Sequence, residues 1–240
     1  MDISNLKCSV HQPHFFPWLG YLAKIASSDV FVLLDDVQFT RRNFQNRCKI
    51  ISSNGTENWI SVPLQSASQS SRINQMEIAA NFSPNQIMAK LDAVYTKSIH
   101  YQSFRSEIAA ILYHPHEKLI DLTTETMKWL LHTLNIPHQL EFLSSSLNLS
   151  HQIDPNQRII DICKHYSATQ YIAGSGGKNY MHLDMFEDAN IEVCWQDFKH
   201  NPIQYYSIDN KFHFGLSSLD AIFSLGSEAT RALIYRHILD

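Results

Sequence analysis

The stretch from Lys7 to Gln38 limits what this chain can fold into more than any other. Lys7 to Val10 alternate as a short strand, and Pro13 ends that run. Pro17-Trp18 then opens a helix, where proline is tolerated because first-turn N–H groups have no intrahelical partner. Trp18, Leu19, Leu22, Ile25 and Ala26 recur at helical spacing. Ser27-Ser28-Asp29 breaks the helix, and Val30 to Leu34 follow as an unbroken apolar run. Such a run suits a strand covered on both faces, as in a parallel sheet. Strand, helix and strand make a βαβ unit, for which a right-handed crossover is expected. The expected fold class is therefore α/β, a Rossmann-like parallel sheet, with a helical region in the middle of the chain.

The rest of the chain fits that scheme. Arg47 to Ser53 and Asn58 to Leu64 read as two strands, and Asn54-Gly55 between them signals a hairpin. Gln65 to Arg72 is a Ser/Gln-rich surface loop, and Ile73 to Ile78 is expected as a short strand. Ser83-Pro84 starts a helical region with segments at 85–97, 101–113 and 116–135, closed by Ile136-Pro137. A strand is expected at Gln139 to Phe142, then a polar loop at Ser144-Ser145-Ser146. The last third returns to helix at Gln157 to Tyr166, strand at Gln170 to Ala173, and a glycine loop at Gly174 to Gly177. Helix at Tyr180 to Glu187, strand at Ile191 to Trp195 and terminal helices at 216–225 and 227–239 complete it. Residues 1–240 are expected as one domain, with 83–137 as a helical insert or subdomain.

Charge and cysteine usage narrow the function classes. Lys and Arg total 19 against 23 Asp and Glu, a net charge of −4. Without a broad basic excess, nucleic acid is not an expected partner. Cys8, Cys48, Cys163 and Cys194 form no C-x-x-C pair, and no apolar run of roughly 18 residues appears. A cytoplasmic protein without membrane insertion is expected. The 13 histidines are scattered. His114-Pro115-His116 resembles a metal clip, but it has no third ligand, so no metal site is expected.

Four places carry chemistry. The first is His11-Gln12-Pro13-His14 through Tyr21, at the carboxyl end of the first strand, where ligands of open α/β sheets bind. Histidine there can donate to phosphate or move protons, so His11 and His14 are catalytic candidates, with Gln12 and Tyr21 as substrate contacts. Gly20 would let a backbone or ligand approach. The second is Asp35-Asp36-Val37-Gln38. Strand alternation would turn the two carboxylates to opposite faces, and Asp36 is the preferred catalytic candidate, with Gln38 in the pocket. The third is Arg41 to Arg47, where Arg42, Asn46 and Arg47 are candidates to grip phosphate or carboxylate. The fourth is Gly174-Ser175-Gly176-Gly177-Lys178-Asn179-Tyr180. Its free N–H groups and Lys178 are candidates to cradle an anion, with Gly174, Gly176, Gly177 and Tyr180 as binding residues. It is not a P-loop, and Gly174-Ser175-Gly176 has the wrong spacing for a nucleophile elbow.

Together these residues resemble the WbqC-like family. His11-Gln12-Pro13, Phe16-Pro17-Trp18-Leu19-Gly20-Tyr21, Lys24-Ile25 and Ser28 to Phe39 carry the likeness. Arg42, Gln45-Asn46-Arg47, Val62-Pro63-Leu64, Gly174…Gly176-Gly177…Tyr180 and Leu216-Ser217…Leu219-Asp220…Gly226 extend it over nearly the whole chain. Phe44 departs from the tryptophan the pattern favours, and Asn201 to Tyr205 alter its tyrosine–glutamine order. The resemblance implies a bacterial cytoplasmic protein tied to surface-polysaccharide or O-antigen genes. A looser likeness, at fold level, is to the H-x-G-H nucleotidyltransferases, although Gly20-Tyr21 stands in place of Gly-His. The expected function is acyl or aminoacyl transfer or ligation to the amine of an amino sugar or nucleotide-sugar. The alternatives are nucleotidyl transfer on an NTP and a non-catalytic binding module. ATP with magnesium or an acyl-carrier donor are the cofactor candidates; a nucleotide-sugar, a carrier protein or a second copy of the chain are the partner candidates.

Overall fold

The computed structural model describes residues 5–52, 54–137, 144–147, 149, 154–196, 198 and 213–239. The expected strand at Gln139 to Phe142 lies outside the described residues, as do Asn201 to Tyr205. The predicted βαβ unit is β1 (Lys7–His11), α1 (Leu19–Ala26) and β2 (Val30–Leu33). β1 and β2 pair in parallel from Cys8↔Val30 to His11↔Leu33. Later in the chain come β5 (Gln170–Gly174) and β6 (Glu192–Gln196). They complete a four-stranded parallel sheet in the order β2-β1-β5-β6.

The unbroken apolar run of β2 is explained by its two faces. Phe31 and Leu33 enter one core, and Val30 and Val32 enter another. The second core also takes Cys8 and Val10 of β1 and is roofed by α5 (Pro155–His165) and α6 (Leu183–Asp188). The first core is larger. It joins α1 to the hairpin of β3 (Arg47–Ile51) and β4 (Glu57–Ser61), to α2 (Pro84–Tyr95), α3 (Tyr101–Tyr113) and α4 (Leu119–Thr133), and to α7 (Ser218–Leu225) and α8 (Ser227–Leu239). The hairpin is antiparallel with Arg47↔Ser61 at its open end, and Gly55 turns it at φ +79°, a region open to glycine. No helix among the described residues is long and apolar enough to cross a membrane.

Two elements differ from expectation. Ile73 to Ile78 is a 3-10 turn over Ile73–Gln75 with an isolated bridge at Ile78, not a strand. The Ile73 and Asn74 N–H groups donate to Val37 and Asp35 carbonyls at 2.9 Å, which uses up the donors a ladder needs. The helix expected from Tyr180 starts only at Leu183, because the tight glycine loop runs on into a 3-10 turn over Ser175–Asn179.

Candidate functional site

The site begins with a break in the sheet. β1 lies between β2 and β5, so the strand order reverses at it, the place where α/β sheets open a crevice. The recorded pairing of β1 with β5 stops at Cys8↔Tyr171, two residues before Val10. The Val10 carbonyl takes its hydrogen bond from a side chain, the Lys24 ammonium of α1, at 2.9 Å. Beside that gap lies a pocket of about 310 Å³, lined by Val10, His11, Gln12, Lys24, Leu34, Ile159, Tyr171, Ala173, Gly174, Gly176, Gly177, Tyr180 and Met181.

The loop that follows β1 is held from three directions. Phe15 N–H donates to the Phe44 carbonyl at 3.0 Å. The Ser217 hydroxyl donates to the Phe16 carbonyl at 2.8 Å, and Ser218 N–H to the Pro17 carbonyl at 2.8 Å. Phe16 itself sits at φ +41° with its ring fully buried. For a bulky residue that conformation costs on the order of 1–3 kcal/mol and persists only where the surroundings over-determine it. Gly20 is accounted for by packing. A Cβ there would lie 2.2 Å from the Trp18 indole, so the glycine lets that ring fold back over its own helix.

His11 Nδ1 stands 3.0 Å from the Gln12 carbonyl, which can only accept, so Nδ1 carries the hydrogen and Nε2 keeps its lone pair. Burial, helped by the positive charge of Lys24, holds the His11 pKa down to about 3. Burial also holds His14 well below the ordinary histidine value, with His11 adding to it. Both rings are thus neutral near neutral pH, and neither grips phosphate as a cation. Tyr21 donates its hydroxyl to the same Gln12 carbonyl at 3.0 Å, and burial keeps its phenol protonated. Its ring meets His11 edge-on, with centroids 4.6 Å apart. Gln45, buried, donates to the Gln12 side-chain oxygen at 2.7 Å and accepts from Thr40 N–H at 2.9 Å.

Lys24 is the pocket residue that sequence reasoning missed. It is 4 % exposed, and burial lowers its pKa to about 8. Its ammonium lies 5.6 Å from the centroid of the Tyr171 ring. The available signal was a lysine inside an otherwise apolar helix, Leu19-Gly20-Tyr21-Leu22-Ala23-Lys24-Ile25-Ala26.

The remaining predicted residues fall elsewhere. Gln38, Arg42 and Asn46 line a separate, larger cavity of about 790 Å³, with Phe39, Arg41 and the Ser/Gln-rich segment. Arg47 does not reach into either pocket. Its guanidinium stacks 3.9 Å from the Trp59 ring centroid and donates to the Arg42 carbonyl. Lys178 is exposed, 5.4 Å from the Trp195 ring centroid, and lines neither pocket. The two carboxylates after β2 share one neighbour instead of facing apart. The Ser144 hydroxyl lies 3.1 Å from Asp35 and 2.5 Å from Asp36. Asp35 also accepts from Ser145 N–H at 2.9 Å, and Asp36 is ion-paired with Arg158. Strand alternation fails here because β2 ends at Leu33 and the Asp35 N–H turns back onto the Leu33 carbonyl. Among the described residues no group of three or more His, Cys, Asp or Glu could hold a metal ion.

A parallel sheet with helices on both faces and a polar pocket at its switch point defines a Rossmann-like α/β protein. The chain belongs to the WbqC-like protein family, whose model matches residues 12–232. An uncharacterized protein of Mycobacterium tuberculosis (strain ATCC 25618 / H37Rv) is 27% identical over 231 residues, covering 95% of this chain and 98% of its own length. No solved structure matches the chain.

Proposed function

We propose that this chain is a cytoplasmic enzyme of surface-polysaccharide (O-antigen) biosynthesis that transfers an acyl or aminoacyl group to the amine of an amino sugar carried on a nucleotide. The observation that supports the reading best is the neutral imidazole of His11 at the pocket wall, its Nδ1–H fixed on the Gln12 carbonyl. Acyl transfer to nitrogen is assisted by a neutral proton acceptor of this kind. As the amine attacks a thioester carbonyl, an N–C bond forms and the nitrogen must shed a proton. His11 Nε2 accepts the hydrogen bond of that N–H and relays its proton to the departing thiolate as the C–S bond breaks, without a lasting imidazolium, which burial of the ring disfavours. Tyr21 and Gln45 act as positioning residues through Gln12, the one on its carbonyl and the other on its side chain. His14 packs against His11 with ring centroids 4.8 Å apart and supports its orientation. The nucleotide portion of the substrate would lie in the larger cavity of Gln38, Arg42 and Asn46.

The test is an incubation with acyl thioesters and nucleotide-linked amino sugars, followed by free-thiol release and product mass. The expected product gains the acyl mass, and His11→Ala loses turnover by about 10²–10⁴-fold. Absence of any N-acylated product, or full turnover in His11→Ala, would sink the reading. A second reading, nucleotidyl transfer, is favoured by Lys24 and the bare backbone of Gly174 and Gly176 at the switch point, chemistry suited to phosphates. Pyrophosphate release without thiol release would favour it.

A further inference from the structure

We propose that the pocket between β1 and β5 binds the oxyanion group of a small molecule, a carboxylate or a phosphate, and that Lys24 is the residue that selects it. The inference rests on reading this pocket as the ligand site, not on acyl transfer.

The argument starts from an unbalanced charge. Among the described residues that line the pocket no carboxylate stands, and Lys24 is the only charged side chain. Its ammonium has three hydrogens, and one of them goes to the Val10 carbonyl. A carbonyl and the face of Tyr171 offset a buried cation only in part, which is why burial pulls its pKa down to about 8. An oxyanion in the pocket supplies the missing counter-charge and accepts the remaining N–H groups. The walls leave room for it. A Cβ on Gly174 or Gly176 would meet nothing within 4 Å, so the bare backbone there faces open space. By contrast Gly177 is pressed against Met181 and Trp195, which explains that glycine by packing alone. The volume of about 310 Å³ suits a small molecule more than a macromolecular segment. His11 adds selectivity, because its neutral ring offers no second cation.

Other titratable groups face Lys24 as well. They are His11 and Cys8 of β1, Tyr171 of β5 and Tyr180 beyond it, while α5 contributes the apolar Ile159 and the residue after β2 the apolar Leu34. His11 stays neutral above about pH 3, and burial keeps Tyr171 protonated well above the ordinary phenol range.

Ligand-detected NMR on the full chain tests this with three probes: inorganic phosphate, succinate and neutral succinamide. At about pH 7 one or both anions bind and succinamide does not; phosphate alone or succinate alone identifies the source of the oxyanion. Affinity falls about tenfold by about pH 9, since only the protonated lysine binds. The same fall persists in Cys8→Ala and Tyr180→Phe. Lys24→Met weakens anion binding at least about tenfold, the equivalent of one lost charge-assisted contact. If Lys24→Met does not fold, the fall in affinity of the unmodified chain and of Cys8→Ala decides. Failure of both anions to bind at about pH 7, affinity flat from about pH 7 to 9, or unchanged binding in folded Lys24→Met overturns the proposal. Binding is read without turnover, so an acyl-transfer assay can fail while this site stands, and the reverse.

Discussion

Lys24 makes a prediction about stability that is separate from its role toward a ligand. In the unfolded chain its amine titrates at the ordinary lysine value of 10.5, and in the folded protein at about 8. Between those values the unfolded state binds more protons than the folded one, so stability rises with pH across that window. Below about pH 8 the cost of burying the charge is fully present. Each pKa unit is worth about 1.4 kcal/mol, and integrating from about pH 7.5 to about pH 10 gives a gain of about 2 kcal/mol. Lys24→Met keeps the length of the apolar stem and removes the charge. It also deprives the Val10 carbonyl of its donor, a cost that does not vary with pH. The stability difference between the two proteins must therefore shift by about 2 kcal/mol over this range, in favour of the unmodified chain as pH rises. Urea unfolding at several pH values measures it. A difference that stays constant with pH refutes the account of Lys24 as a buried, poorly compensated cation.

Two further outcomes follow from neighbouring contacts. Asp36→Asn takes the Asp36 carboxylate away from the buried Arg158 and should cost about 3–5 kcal/mol in chemical denaturation, with part of that loss recovered in Asp36→Asn/Arg158→Met; a change below about 1 kcal/mol would show that the pair is not what holds these segments together. Gly176→Ala should leave the thermal midpoint within a degree or two, since the added methyl meets nothing, whereas Gly177→Ala should cost about 1–3 kcal/mol by pressing on the Met181 sulfur at 2.8 Å and the Trp195 ring at 3.1 Å; equal effects at the two positions would contradict the packing described.

The sequence disclosed the elements better than their partnerships. The βαβ unit, the Asn54-Gly55 hairpin and the helix over Tyr101–Tyr113 all come from patterns within a few residues, where periodicity and turn chemistry act. His11, Gln12 and the glycines after β5 reach one pocket because a parallel sheet brings strand ends together. Pairings between distant segments leave no local mark. Arg158 meets Asp36 across 122 positions of chain, and Gln45 meets Gln12 across 33. Arg47 looked like an anion fork, but its cross-strand neighbourhood supplied Trp59, and the ring took the guanidinium. Lys24 would pass for a surface lysine on a short helix. It is buried because it faces the sheet, its ammonium on the Val10 carbonyl of β1 and over the Tyr171 ring of β5, a strand far along the chain.

The clasp on the loop after β1 also has a consequence in time. Phe16 holds its left-handed backbone against a hydroxyl supplied by Ser217, 201 positions downstream. During synthesis the first strand, its helix and the second strand leave the ribosome early and can pair. The loop that follows His11 and carries His14 is not locked until the segment around Ser217 arrives and the turn before α7 docks. The pocket is then among the final parts of the molecule to take shape, and a chain shortened from its carboxyl end would keep its sheet while losing the geometry of its site.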